Sequence, residues 1–133
     1  MSSQSTGAGM SRRLALPYAE ALTKTKAALR TEGFGVLTEI DVRATLQEKI
    51  GVDFREYTII GACNPPLAHR ALQSDLSVGL LLPCNVIVYA DGDGSVVSMF
   101  DPEAGMALAG SPALDAVAHE ARERLQRALA SIE

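Results

Sequence analysis

The residues with the widest chemical repertoire in this chain are its two cysteines, Cys63 and Cys84, both inside the stretch from Tyr57 to Pro102. Cys63 directly precedes Asn64-Pro65-Pro66, which reads as a helix N-cap followed by prolines tolerated in a first turn. A thiol beside exposed helical N–H groups feels a partial positive charge that favours the thiolate. The same residue continues the apolar face of Ile59 and Gly61, where burial makes a thiol inert. Both readings stay open, and Asn64 can likewise be a cap alone or a ligand contact.

The second cysteine enters through a hairpin. Asp91-Gly92-Asp93-Gly94 tolerates positive φ and separates two β-rich runs, Leu80 to Ala90 and Ser95 to Phe100. If Ala90 faces Ser95, then Val88 meets Val97, Val86 meets Met99, and Cys84 meets Asp101. The candidate ligand-binding set is therefore Cys63, Asn64, Cys84 and Asp101, with Met99 close by. Such a set could hold a soft metal, copper(I) or zinc, or act as a redox pair. It falls short of the four ligands of a structural zinc, and no CxxC, CxxxH or histidine cluster accompanies it. No cofactor is expected.

Other spacings carry less. Asp91 and Asp93 begin like a calcium loop but lack the later oxygen ligands and the bidentate glutamate, so they punctuate a turn. Gly92 and Gly94 are followed by no helix with Lys-Ser or Lys-Thr, so they cradle no phosphate. His69 falls in mid-helix, and Ser111 and His119 share one helix without the geometry of a triad. No catalytic residue is assigned, and a non-enzymatic role is expected.

Composition bounds the partners. The chain of 133 residues is 47% hydrophobic and 21% charged, which fits one ordinary globular domain over residues 11–133. The first ten residues, MSSQSTGAGM, are Ser- and Gly-rich without an apolar core and read as a disordered tail, with Met10 an alternative start. A net charge of −4 with scattered basic residues argues against nucleic acid and anionic membrane surfaces. The apolar runs are far below the ~20 residues of a membrane span. Two cysteines without a secretory signal point to a reducing cytoplasm.

Periodicity supplies the elements that must position these residues. A short strand from Arg12 to Leu16 precedes a helix from Tyr18 to Glu32, whose stripe is Tyr18, Leu22, Ala28 and Leu29 and whose stop is Gly33. Phe34, Val36, Thr38 and Ile40 share one face of a second strand. Asp41 caps a short helix carrying Val42, Leu46 and Ile50, ended by Gly51. A strand from Tyr57 to Cys63 leads into a helix reaching Leu76, with Ala68, Leu72 and Leu76 as its stripe. After the hairpin, Asp101-Pro102 starts a helical turn stopped by Gly110. The longest helix, Ala113 to Ile132, buries Leu114, Val117, Ala121, Leu125, Ala128, Leu129 and Ile132, with Glu120–Arg124 and Glu123–Arg127 as surface pairs.

The stretches GFGVLTEID (Gly33 to Asp41), GACNPPLAHRAL (Gly61 to Leu72), LLPCNVIVY (Leu81 to Tyr89) and FDP (Phe100 to Pro102) resemble the family catalogued as domain of unknown function 302. The resemblance covers Arg12 to about Ile132. It implies a cytoplasmic α+β domain with a TATA-binding-protein-like arrangement, commonly dimeric, and it implies no activity. The fold class is thus α+β: a five-stranded, mainly antiparallel twisted sheet with the long C-terminal helix on one face, in the order β-α-β-(α)-β-α-β-β-α.

Two functions from different classes remain. The first is a non-enzymatic homodimer binding a small-molecule ligand or partner through a groove between the sheet and the last helix. The hairpin motivates the dimer, being apolar on both faces: Val86, Val88, Val97 and Met99 on one, Ile87, Tyr89, Val96 and Phe100 on the other. The second is a thiol-based redox or soft-metal-handling protein acting through Cys63 and Cys84.

Overall fold

The computed structural model describes residues 9–133, so residues 1–8 of the tail expected over residues 1–10 lie outside the described residues. Five strands form one antiparallel sheet in the order β1-β5-β4-β3-β2. They are β1 (Gly9–Leu14), β2 (Gly35–Asp41), β3 (Tyr57–Cys63), β4 (Cys84–Asp91) and β5 (Gly94–Phe100). Between and after them run α1 (Tyr18–Thr31), α2 (Val42–Ile50), α3 (Pro65–Ser74), α4 (Pro102–Ala107) and α5 (Asp115–Ser131). The α+β class, the antiparallel sheet and the long last helix agree with the sequence expectation.

The hairpin forms as its turn chemistry requires. Gly92 adopts φ +62°, and the register runs Ala90↔Ser95, Val88↔Val97 and Val86↔Met99. Val86, Val88, Val97 and Met99 then share one face with Ile60 and are fully buried beneath the helices. Along α5 and its two flanking residues, every position of the expected stripe, Leu114 through Ile132, is buried. The pair Glu120–Arg124 forms at 3.2 Å. Arg127 turns instead to Glu32, the residue that follows α1, at 3.0 Å, and Glu123 meets His119 at 3.5 Å.

Several boundaries differ from expectation, each for a local reason. The first strand starts at Gly9, so Gly9 and Met10 belong to the sheet: Met10 pairs with Met99 and is buried against the core. Strand β2 carries a bulge between Val36 and Thr38. An inserted residue reverses the alternation. Phe34 and Val36 therefore turn to the helix-covered side, whereas Thr38 and Ile40 turn to the other, opposite Gly61 and Ile59. Thr38 and Pro83 occupy the space a Cβ on Gly61 needs.

Helix α3 stops at Ser74 because Asp75 accepts from the N–H of Ser77 and begins a 3₁₀ segment over Leu76–Leu81. The expected stripe shifts accordingly. Leu67 and Ala71 are buried, Ala68 and Leu72 are half-buried, and Leu76 faces solvent. The same segment postpones β4 to Cys84, so the run from Leu80 is not strand. In α1 the buried set is Ala21, Thr25, Ala28 and Leu29; the hydroxyl of Thr25 donates to the Ala21 carbonyl at 2.7 Å, which removes the cost of burying it.

Candidate functional site

Strands β3 and β4 are neighbours, and their register sets Ala62 opposite Cys84. Cys63 is the last residue of β3, and Asn64 caps α3 by accepting from the Leu67 N–H at 3.3 Å. Three of the four expected site residues, Cys63, Asn64 and Cys84, line one apolar cavity roofed by Leu67, Met106 and Val117. It lies between the sheet end and α5, where a groove was expected. Its open volume is small, about 20 Å³, room for about one water-sized group.

Asp101 stands apart. Strand β5 ends at Phe100 because Asp101 leaves the ladder to cap α4, accepting from the Glu103 N–H at 3.0 Å. Its other carboxylate oxygen accepts from Arg122 Nε at 3.2 Å. The pairing of Cys84 with Asp101 therefore does not form, although the register that implied it holds up to Met99. The residue facing the cavity is the next one, Pro102.

Electrostatics favours the protonated thiols. Burial pushes the Cys84 thiol up to about 11, with the neighbouring Cys63 adding in the same direction. Burial also raises Cys63. Desolvation thus outweighs the helix N-terminus beside Cys63, and neither group is a thiolate near neutral pH. Among the described residues no group of three or more His, Cys, Asp or Glu is arranged to hold a metal ion. Asn64 is committed within the chain: its amide nitrogen donates to the Glu32 carbonyl at 3.4 Å. Gly33, at φ +84°, makes this contact possible, since a Cβ there meets that nitrogen at 2.9 Å. His69 and His119 are both exposed.

A second surface is broader. On the side of the sheet away from α1 and α5, the register aligns Ile40, Ile59 and Ile87 in one row and Tyr57, Tyr89 and Val96 in the next. The rings of Tyr57 and Tyr89 stack at 5.3 Å with 8° between planes. The Arg55 guanidinium lies 5.8 Å from the centre of the Tyr89 ring, and Phe54 is 6.2 Å from Tyr57. Burial of Tyr57, with Tyr89 beside it, raises its phenol. Phe100 belongs to this side by alternation, but its ring lies against Gly105 of α4, where a Cβ has no space.

The sequence expectation contained Ile87 and Tyr89 of this surface and missed Phe54 and Arg55. Their signal was the density of apolar residues in Ile50-Gly51-Val52-Asp53-Phe54, a stretch without periodicity just ahead of a strand.

The family model described as "Domain of unknown function DUF302" matches residues 10–132. The chain belongs to that family. A solved structure titled "Crystal structure of uncharacterized conserved protein DUF302 from Bacillus stearothermophilus" is 32% identical, covers 94% of this chain and 98% of its own, and superimposes with a TM-score of 0.87. No curated protein matches. No helix among the described residues is long and apolar enough to cross a membrane.

Proposed function

We propose that the protein is a non-enzymatic homodimeric binding domain, working in the cytoplasm, whose self-association surface is the open face of the sheet. The observation that carries this reading is the uneven cover: α1 and α5 hide Ile60, Val86, Val88 and Val97 completely, while in the rows Ile40–Ile59–Ile87 and Tyr57–Tyr89–Val96 Ile40 is exposed and the other five are only half-buried. Apolar rows of this extent mark interaction surfaces. An isologous pair buries each face with the other, and the stacked tyrosines supply the aromatic anchor at its centre. Two free cysteines with protonated thiols accord with a reducing compartment.

The cavity at Cys63, Asn64 and Cys84 supports a subsidiary ligand role, because three residues from two strands and a helix cap converge on one apolar space. At about 20 Å³ it takes a small apolar group rather than a whole metabolite. Thiol redox or soft-metal chemistry is the weaker reading, since both thiols are held protonated and no third ligand joins them.

Light scattering tests the dimer. The expected result is twice the chain mass at micromolar concentration, and the chain mass for Ile87→Asp, which puts a charge into the apolar row. A wild-type mass of one chain up to the millimolar range rejects the reading.

A further inference from the structure

From Gly35 to Glu56 no residue is buried, and five of the eight exposed large hydrophobic residues among the described residues, Leu37, Ile40, Ile50, Val52 and Phe54, lie in this arm of β2, α2 and the following loop. Helix α2 has nine residues and no buried side chain. Isolated helices below about 12–15 residues are marginal in water, and most helical stability in proteins comes from packing of one face. Its Asp41 cap and the left-handed Gly51 hold the ends, while between them Leu46 is only half-buried and Ile50 is exposed. The outer face of α2 is left to water in the protomer.

We infer that the second copy of this chain covers it, so that α2 is held in its helical form by dimerisation. This rests on the homodimer reading above and adds the arm to it. Continuity is the first argument: Phe54 meets Tyr57, which stacks on Tyr89, so the arm runs into the open face without a break. Area is the second. Five strands spaced about 4.8 Å and some seven residues long give an open face of about 550 Å². That falls short of the roughly 800 Å² per partner in a standard interface. A nine-residue helix about 13 Å long and 10 Å wide adds about 130 Å² before the loop is counted.

Hydrogen exchange of the full chain, read above and below the concentration at which light scattering shows the dimer dissociating, tests the inference. The amides of residues 46–50 should exchange at least ten-fold faster in the monomer, with those of Ala121–Leu129 unchanged. Ile87→Asp should give the fast pattern at every concentration, and Phe54→Asp should raise the dimer dissociation constant at least ten-fold. A dimer whose residues 46–50 exchange as fast as in the monomer, or a monomer that protects them equally well, overturns the inference and leaves the dimer standing. Absence of a dimer at all concentrations overturns both.

Discussion

Helices α5 and α2 are both readable from their apolar spacing, yet they end in opposite situations. In α5 the residues Val117, Ala118, Ala121, Leu125, Ala128 and Leu129 are buried under the sheet and α1. In α2 the corresponding set is never fully buried: Val42 and Leu46 are half-buried, and Ile50 is 65% exposed. An amphipathic stripe states that a face must be covered. It does not state by which molecule. The helix-covered side of this sheet is closed by its own chain, whereas the arm side keeps Leu37, Ile40, Ile50, Val52 and Phe54 exposed in the protomer.

The sharpest break of this comparison is at Leu125, which is 0% exposed at the centre of α5. Leu125→Ala should cost about 2–5 kcal/mol in denaturant unfolding, from lost transfer energy and the cavity left behind. A loss within about 0.5 kcal/mol, the range of surface positions, contradicts the closed side as described.

The pH dependence of the closed side comes next. The Cys84 thiol moves from an ordinary value of 9.0 to about 11, so the folded chain holds a proton that the unfolded chain releases. The associated stability is fully present below pH 9 and declines as pH rises toward 11, by about 2–3 kcal/mol in all. Unfolding titrations of wild type and Cys84→Ala across this window should differ in slope, the variant being flatter. Equal slopes contradict the buried protonated thiol, as does labelling of Cys84 by a thiol reagent at pH 7 without unfolding.

Gly61 lies where the two sides meet. It is in the middle of β3 with the side chains of Thr38 and Pro83 over it, in the space a Cβ needs. Gly61→Ala should destabilise by about 1–3 kcal/mol through overpacking. Thr38→Ala in the same chain should restore part of the loss, because a smaller neighbour frees that volume. Additive effects of the two substitutions, measured as a double-mutant cycle, contradict the contact.

These residues also mark how far sequence alone reaches. The hairpin register was legible because Asp-Gly turns and period-two alternation fix it locally. The α5 stripe was legible because seventeen residues give periodicity room to show itself. The β2 bulge was not, since one inserted residue reverses the faces of Phe34 and Ile40 without a distinctive residue to announce it. Leu76 was assigned to a stripe because nothing in periodicity anticipates Asp75 capping a new 3₁₀ segment. For the site, the convergence of Cys63, Asn64 and Cys84 followed from strand and cap signals. The loss of Asp101 did not, because its role as a cap and as a partner of Arg122 competes with ladder pairing, and the choice depends on where α5 lies.

The smallest expected effect sharpens the comparison most. Ile50 is at the end of α2, 65% exposed, with an apolar side chain that the protomer leaves in water. Ile50→Ser should therefore change the unfolding free energy of the dissociated chain by less than about 0.5 kcal/mol, as surface substitutions do. Serine forms helix about as well as isoleucine, so propensity hardly enters. If the arm packs on a second copy, the same substitution removes apolar contact from that interface alone and weakens association while leaving the protomer intact. Monomer stability from denaturant melts at high dilution, set beside the dissociation constant from sedimentation, separates these two quantities. A loss of monomer stability like that of Leu125→Ala places Ile50 in a core and erases the difference between α2 and α5.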